Sequence, residues 1–511
     1  MATLKDFFIN IGDKYTIPVA GTAFLTNLPP AIIQKIDGAK PLLNSSYNIP
    51  VEKYQTVITT SDIHADLLVL SSILFNAEVT DKEITSLDDV FTIRWNPAKT
   101  NTILIIVGDI VDGKRDAMSV PDVSGDIEIL LHIFLFNLRI SAREYNSELR
   151  FLIGNHDYHT VIQEGDLLAS VLGTNAVPYG TGSPGITTQK LKETYYGNMN
   201  VIYNNYVHQT AKTLFGQRAN RRNCLLPFYE ACPYITVTIG NEAIFVHASL
   251  HGGNNGEYDM TPKLLELQGK IDELGLKNTI CKPSGNNEDI KFISNVNDDH
   301  MFGGPLWARY YSYSPEANVC SVINSSPYKM IIVGHCQTNH CSSQPGSLAR
   351  TIIRKPEYIS TQCNNGGCVL LGCGDASGPR LAFVDITMSR AFENKGDREE
   401  ILVLKHDDTK EPSRYYNSIS RVNTFVAPGA ANELIVVWEA PTLPVPLAEP
   451  VAEPVAEPVA EPVAEPVAAQ EPVAEPVAAE ANNGFSGGKR RRRKTRRRQI
   501  KKKTRKYRKY L

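Results

Sequence analysis

The sequence predicts a layered α/β domain, with two sheets flanked by helices and a disordered C-terminal extension. Three observations lead there. Short β-branched runs alternate with helical patterns, as in proteins whose sheets and helices stack in layers. Apolar residues at Ile127, Leu130, Leu131, Phe134, Leu135 and Leu138 follow helical spacing and place a stripe on a helix after the second run. Five of the runs are followed at once by Asp, His or Asn, which puts polar chemistry on strand-end loops.

The five strand candidates are Thr56 to Thr60, Ile103 to Val107, Phe151 to Ile153, Ile235 to Val246 and Met330 to Val333. The fourth holds Gly240-Asn241 at its middle and reads as a hairpin. Later runs at Gly367 to Leu371, Arg380 to Ile386 and Glu400 to Leu404 suggest the second sheet. Residues 160–222 lack a strong period and read as an insertion or cap. The organisation expected is an N-terminal extension (1–50), a principal domain (51–405), a C-terminal extension of the folded body (406–440), a linker (441–488) and a basic tail (489–511).

Composition narrows the class. Of 511 residues, 42% are hydrophobic and 21% charged, as in a soluble globular body, and the length exceeds the roughly 250 residues usual for one domain. The richest apolar run, Ile127 to Ile140, is broken by His132, Asn137 and Arg139, so no segment reaches the roughly 18 to 20 apolar residues of a membrane span. Asp6 interrupts the place where a secretory signal keeps its apolar stretch. Nine scattered cysteines, an odd number, suit a reducing compartment better than a disulfide scaffold. Cys336, Cys341, Cys363, Cys368 and Cys373 repeat at five-residue steps, wider than the pairs two to four residues apart common in structural zinc sites, so ordinary thiols are expected. An intracellular location follows, in cytoplasm, nucleus or a virion.

From about Pro441 to Glu480 the chain repeats Glu-Pro-Val-Ala. Regular proline removes backbone donors and disfavours helix, so an extended spacer is expected. Beyond it, 16 of the 53 Lys and Arg crowd into residues 489–511 with none of the 55 acids, leaving residues 1–488 with a formal charge of −18. Such a tail is disordered when free and suits nucleic acid, an import receptor or an anionic membrane.

The chemistry lies in five short motifs: Ser61-Asp62-Ile63-His64, Gly108-Asp109-Ile110-Val111-Asp112, Gly154-Asn155-His156-Asp157, Val246-His247 and Gly334-His335. Carboxylate, imidazole and amide donors suit hard or borderline divalent metals, and loops at strand ends can bring them to one point. Each fragment alone is as consistent with a helix cap or a turn. All five in one order, each after an apolar strand, make a pattern.

That pattern resembles the calcineurin-like metallophosphoesterases over roughly residues 50–405, and so implies a two-sheet sandwich of that type. Gly304 to Arg309, Val333-Gly334-His335 and the stretch from Val384 to Phe392 resemble the bacterial-like phosphoprotein phosphatases, related to the Shewanella-like group. The resemblance implies two divalent metal ions, Mn2+ or an iron/zinc pair. Asp62 and His64 would hold the first, Asn155, His247 and His335 the second, and Asp109 would bridge both. His156 would be the general acid and Asp112 would orient it.

Three departures matter. The arginine usual after the second aspartate of motif two is replaced by Gly113, followed by Lys114 and Arg115. Arg309 is therefore the leading phosphate-binding candidate, with Arg115 the second. Motif four offers His251 besides His247, and His247 is preferred because it directly ends a strand. No second histidine follows His335, where the sequence reads Cys336-Gln337. The substrate implied is a phosphorylated protein at Ser/Thr or Tyr; a nucleotide phosphoanhydride or RNA cap is the alternative. The spacer and cationic ending resemble tails on proteins of large DNA viruses, which adds a third reading as a nucleic-acid-binding, virion-associated protein.

Overall fold

A computed structural model describes residues 8–11, 15–18, 30–43, 45–84, 87–111, 126–162, 222–253, 255–281, 288–295, 303–335, 369–374, 378–385, 400–412, 414–423 and 433–443. Asp112, Arg115, residues 163–221 of the expected insertion, the spacer from 444 onward and the basic tail lie outside them.

Two short strands, β1 (Phe8–Ile11) and β2 (Tyr15–Pro18), pair antiparallel near the N-terminus. After α1 (Pro30–Leu43) come β3 (Asn48–Ile49), β4 (Thr56–Thr60), α2 (Leu67–Asn76), α3 (Leu87–Thr92), β5 (Thr102–Ile106), α4 (Asp126–Ala142) and β6 (Glu148–Phe151). Then follow β7 (Thr236–Ile239), β8 (Ala243–Val246), β9 (His251–Gly252), β10 (Tyr258–Asp259), β11 (Met330–Val333), β12 (Val369–Leu371), β13 (Leu381–Phe383), β14 (Glu400–Lys405), β15 (Ser418–Asn423) and β16 (Glu433–Glu439). Most of the strands form two six-stranded sheets, β16-β15-β14-β4-β5-β6 and β12-β13-β11-β8-β7-β3.

The layered architecture is as expected, but its partition into sheets is not. The late strands do not make a sheet of their own. β14 joins the first sheet antiparallel to β4, while β12 and β13 join the second beside β11. Asn48–Ile49 and the two strands between 418 and 439 also belong to the sheets, which therefore draw on chain from both sides of residues 51–405. Pairing of strands far apart in sequence is decided by packing, which local pattern does not encode. The expected hairpin is present, with β7 and β8 antiparallel around Gly240.

Within each sheet three neighbouring strands run parallel: β4, β5 and β6 in one, β8, β11 and β13 in the other. All five residues of β5 and all four of β8 are buried, as strands covered on both faces require. Helix α4 packs on β6, with α2 and α3 against it, and the helix Thr261–Leu274 packs on β7. Gln268 of that helix accepts from the backbone N–H of Ile235 at 2.7 Å, which locks it to the strand. No described helix is long and apolar enough to cross a membrane.

At the opposite end of β6 from its site loop, a buried charge pair ties the segment 45–54 to the sheet. Arg150 Nε donates to Glu148 Oε1 at 2.9 Å, Tyr54 Oη donates to Oε2 at 2.7 Å, and the guanidinium lies 4.7 Å from the Tyr234 ring centroid. Despite the cost of burial, Arg150 and these hydrogen bonds hold the Glu148 carboxyl well below the usual carboxylate range.

The cysteines require a correction. Cys320 and Cys373 form a disulfide with a Cα separation of 5.0 Å across 53 residues of sequence, where unpaired thiols were expected. Packing sets the helix Glu316–Ser325 beside the turn after β12, and spacing along the chain does not foretell that. Cys224, Cys232 and Cys281 are buried thiols.

Candidate metal centre

The C-terminal ends of the parallel strands carry the motifs. β4 ends at Asp62 and His64, β5 at Asp109, β6 at Asn155, β8 at His247 and β11 at His335. To bring these side chains together the chain bends sharply. Asp62, His64, Ala65, Asp109 and His335 all adopt left-handed φ, from 46° to 59°. Non-glycine residues there cost on the order of 1–3 kcal/mol each, so the surroundings must hold them. Hydrogen bonds between loops do so: Asp62 N–H to Gly108 O at 3.0 Å, His64 N–H to Asp109 O at 2.9 Å, and Ala65 N–H to Ile110 O at 2.7 Å. His335 N–H donates to Asp62 Oδ2 at 2.9 Å and so joins the two sheets across the site.

Two glycines are needed for closeness. A Cβ on Gly154 would fall on the Asp109 carboxylate, and one on Gly334 would fall on Ser61 Oγ. Ser61 Oγ in turn donates to Asp62 Oδ2.

Two groups of ligand atoms result, Asp62/His64/Asp109 and Asp109/His247/His335, each with its atoms within 4.8 Å of one another. Asp109 is common to both. All of these side chains are buried, as is Asn155. The charges interlock. Burial opposes ionisation of Asp109, yet His247, His156 and His64 hold it well below the usual range. Burial also opposes protonation of His247, but Asp109 and then Asp62 raise it to about 10. Burial, the Asp385 carboxylate and Asp109 push Asp62 well above the usual range, while burial, Arg309 and His247 press His335 well below it.

The donor set fits divalent cations. His247 Nδ1 donates to Val107 O at 2.7 Å, which turns Nε2 toward Asn155 Oδ1 at 2.8 Å and Asp109 Oδ1 at 3.4 Å. Three electron-rich atoms face one another there, an arrangement that a cation or a proton must neutralise. Asn155 Nδ2 is buried and has no hydrogen-bond partner among the described residues, while Oδ1 faces the site through His247 Nε2. His64 repeats the design: Nδ1 meets Val111 O at 3.3 Å, and Nε2 lies 3.8 Å from both Asp62 Oδ1 and Asp109 Oδ2. Those gaps are too long for hydrogen bonds but suit donors that share an ion, since ligand distances of about 2.0–2.2 Å allow donor atoms up to about 4.2 Å apart.

The remaining expected residues divide. His156 lies at the site, its Nε2 3.9 Å from Asp109 Oδ2 and its backbone N–H on Asp109 Oδ1 at 2.9 Å. It retains 11% side-chain exposure where the ligand candidates are sealed, which suits a group that meets substrate. Arg309 is also brought in, its Nε donating to His335 Nε2 at 3.1 Å, with the Trp307 ring edge-on to the same imidazole. Asp112 and Arg115 lie outside the described residues. His251 is buried and bonded through Nδ1 to Tyr311 Oη at 2.8 Å, and it stands apart from both ligand groups.

One residue inside motif three was given no role by sequence reasoning. Asp157 accepts hydrogen bonds from the N–H groups of Gly154, Ile110 and Val111 at 2.8 to 3.1 Å, and from Tyr229 Oη at 2.7 Å. It thereby fastens the motif-two loop to the motif-three turn. Burial and Asp109 raise its carboxyl to about 6. The acidic end of Gly-Asn-His-Asp was the available signal.

No protein-family model matches the chain, and no curated protein matches it. Among solved structures, a cold-active protein-tyrosine phosphatase of a psychrophilic Shewanella species is similar at 17% identity and a TM-score of 0.39, covering 84% of this chain and 90% of that one. A protein serine/threonine phosphatase from Saccharomyces cerevisiae gives 11% identity and a TM-score of 0.33, covering 82% and 92%. Overlaps this loose carry no functional argument, which rests on the side chains.

Proposed function

We propose that the chain is a metal-dependent phosphoester hydrolase with a dinuclear centre, acting on phosphorylated protein. The observation that carries this reading is the sharing of Asp109 between two ligand groups, because a carboxylate common to two sites is what a closely spaced metal pair needs. In this reading Asp62 and His64 hold one ion, Asn155, His247 and His335 the other, and Asp109 both. Mn2+ or an iron/zinc pair suits the mixed nitrogen and oxygen donors. Bound there, two dications supply charge for the phosphoryl oxygens and acidify a water.

The protein's own groups do the rest. Val107 and Val111 carbonyls fix the tautomers of His247 and His64, so that Nε2 of each faces the centre. His156, exposed on one side and held by Asp109 on the other, gives a proton to the leaving oxygen, with Asp112 orienting it. Arg309 stands at the His335 edge, where its guanidinium takes a phosphoryl oxygen. Phosphoprotein as substrate class is supported by the sequence likeness of Gly304 to Arg309 and of Val384 to Phe392 to the bacterial-like phosphoprotein phosphatases.

The test is a side-by-side assay of Mn2+-loaded protein on phosphoserine, phosphothreonine and phosphotyrosine peptides, an aryl phosphate, dinucleoside polyphosphates and capped RNA. Phosphopeptides should be hydrolysed with the highest kcat/KM. Preference for the polyphosphates or caps would replace the substrate class, and no metal-dependent hydrolysis of any of them would overturn the activity.

A further inference from the structure

Tyr229 lies on the helix 222–231, outside all five motifs. Its ring is buried, edge-on to Phe151 at 5.6 Å between centroids and tilted on His132 at 5.1 Å. Held that way, it directs Oη onto Asp157 Oδ1 at 2.7 Å. The same oxygen accepts from the N–H groups of Ile110 at 3.0 Å and Val111 at 3.1 Å, and Oδ2 accepts from Gly154 N–H at 2.8 Å. Three of these four donors belong to the loops being held; the tyrosine comes from elsewhere in the fold. What those loops carry gives the contact its reach. Val111 O faces His64 Nδ1 and Ile110 O accepts from Ala65 N–H, while Gly154 leads into Asn155 and then His156, whose N–H lies on Asp109 Oδ1.

We propose that Tyr229 is a positioning residue of the metal centre, its hydroxyl pinning Asp157 and, through Asp157, the loops that present His64, Asp109 and Asn155; this rests on the two-metal reading above. A ring needed only for packing would be served by phenylalanine, since a buried hydroxyl costs free energy unless it is bonded. Here it is bonded, to a carboxyl oxygen that already holds two backbone N–H groups. An oxygen shared by three donors fixes the two N–H groups relative to the tyrosine. Without the hydroxyl, the carboxyl group is free to turn about its own bond and to carry Ile110 and Val111 with it. Groups one step outside the ligands set the direction of the ligands, and losing one costs about 10- to 100-fold in metal affinity or activity. A tyrosine that only tied its helix to the core would behave otherwise: its loss would weaken the fold and leave metal affinity as it was.

Tyr229→Phe keeps the ring and removes the hydroxyl. The control is Tyr234→Phe, which removes the hydroxyl of another buried tyrosine, bonded to Ser45 O at 2.8 Å. The metal-stripped full chain of the parent and of each variant is titrated calorimetrically with Mn2+, and kcat and KM for an aryl phosphate are measured at saturating Mn2+. Tyr229→Phe should bind Mn2+ about tenfold more weakly and lose about tenfold in kcat with KM within about twofold, while Tyr234→Phe keeps the parental values. Parental Mn2+ affinity in Tyr229→Phe overturns the proposal and leaves the two-metal reading standing. Equal losses in the two variants do the same, since they mark a general loosening of the fold. A parent chain that binds fewer than two ions overturns that reading and this proposal together.

Discussion

His247 Nε2 lies 2.8 Å from Asn155 Oδ1, a contact between side chains of opposite sheets that are proposed as ligands of one ion. With Nδ1 committed to the Val107 carbonyl, Nε2 must hold either a proton or a metal. Its pKa is raised to about 10 by Asp109 and Asp62 against the cost of burial, so at neutral pH the proton is present and an incoming ion displaces it. Apparent Mn2+ affinity should therefore rise about tenfold per pH unit from pH 6.5 toward 10 for that proton alone. Calorimetry in buffers of different ionisation enthalpy should count at least one proton released. Affinity that stays flat from pH 6.5 to 8.5 would contradict the ligand assignment.

Asp109→Asn should cost the protein both metal and activity. An amide offers one neutral oxygen where the two ligand groups share a carboxylate, and His247 loses the anion that raises it most. Metal content after dialysis should fall below half of the parent's, and aryl phosphate turnover by at least about a hundredfold. Full occupancy with near-normal turnover would refute the bridging role.

His156→Asn separates acid from ligand. The largely buried imidazole, 11% exposed, belongs to neither ligand group, so both ions should stay bound while kcat drops by about a hundredfold to ten-thousandfold. Since the acid protonates the leaving oxygen, a substrate with a nitrophenolate leaving group should suffer less than a phosphoserine peptide. Loss of metal, or equal losses on both substrates, would remove His156 from that role.

Glu148→Gln addresses stability away from the centre. The change strands the buried Arg150 guanidinium, and breaking such a pair costs about 3–5 kcal/mol. Because the folded-state carboxyl sits below its ordinary value, its stabilisation is present above about pH 4.5 and is lost as pH falls toward the depressed folded value. The gap between parent and variant in denaturant melts should be constant from pH 5 to 7 and shrink on further acidification. A gap independent of pH down to 3 would mean that the pair contributes by packing alone.

The sequence by itself determined the strand ends that bear the chemistry. Thr56–Thr60 and Met330–Val333 agree with the structure to the residue, and the helix carrying Leu130, Leu131 and Phe134 forms where the apolar stripe places it. Asp62, His64, Asp109, Asn155, His247 and His335 are legible because each follows an apolar run within a few residues, a purely local arrangement. What only tertiary structure decided is non-local. β14 joins β4 across some 340 residues, Cys320 meets Cys373, and Arg309 reaches His335, none of which spacing reveals. Asp157 has the same explanation. It is an ordinary acid after a turn until packing buries it near Asp109, and burial next to like charge is a property of the folded chain.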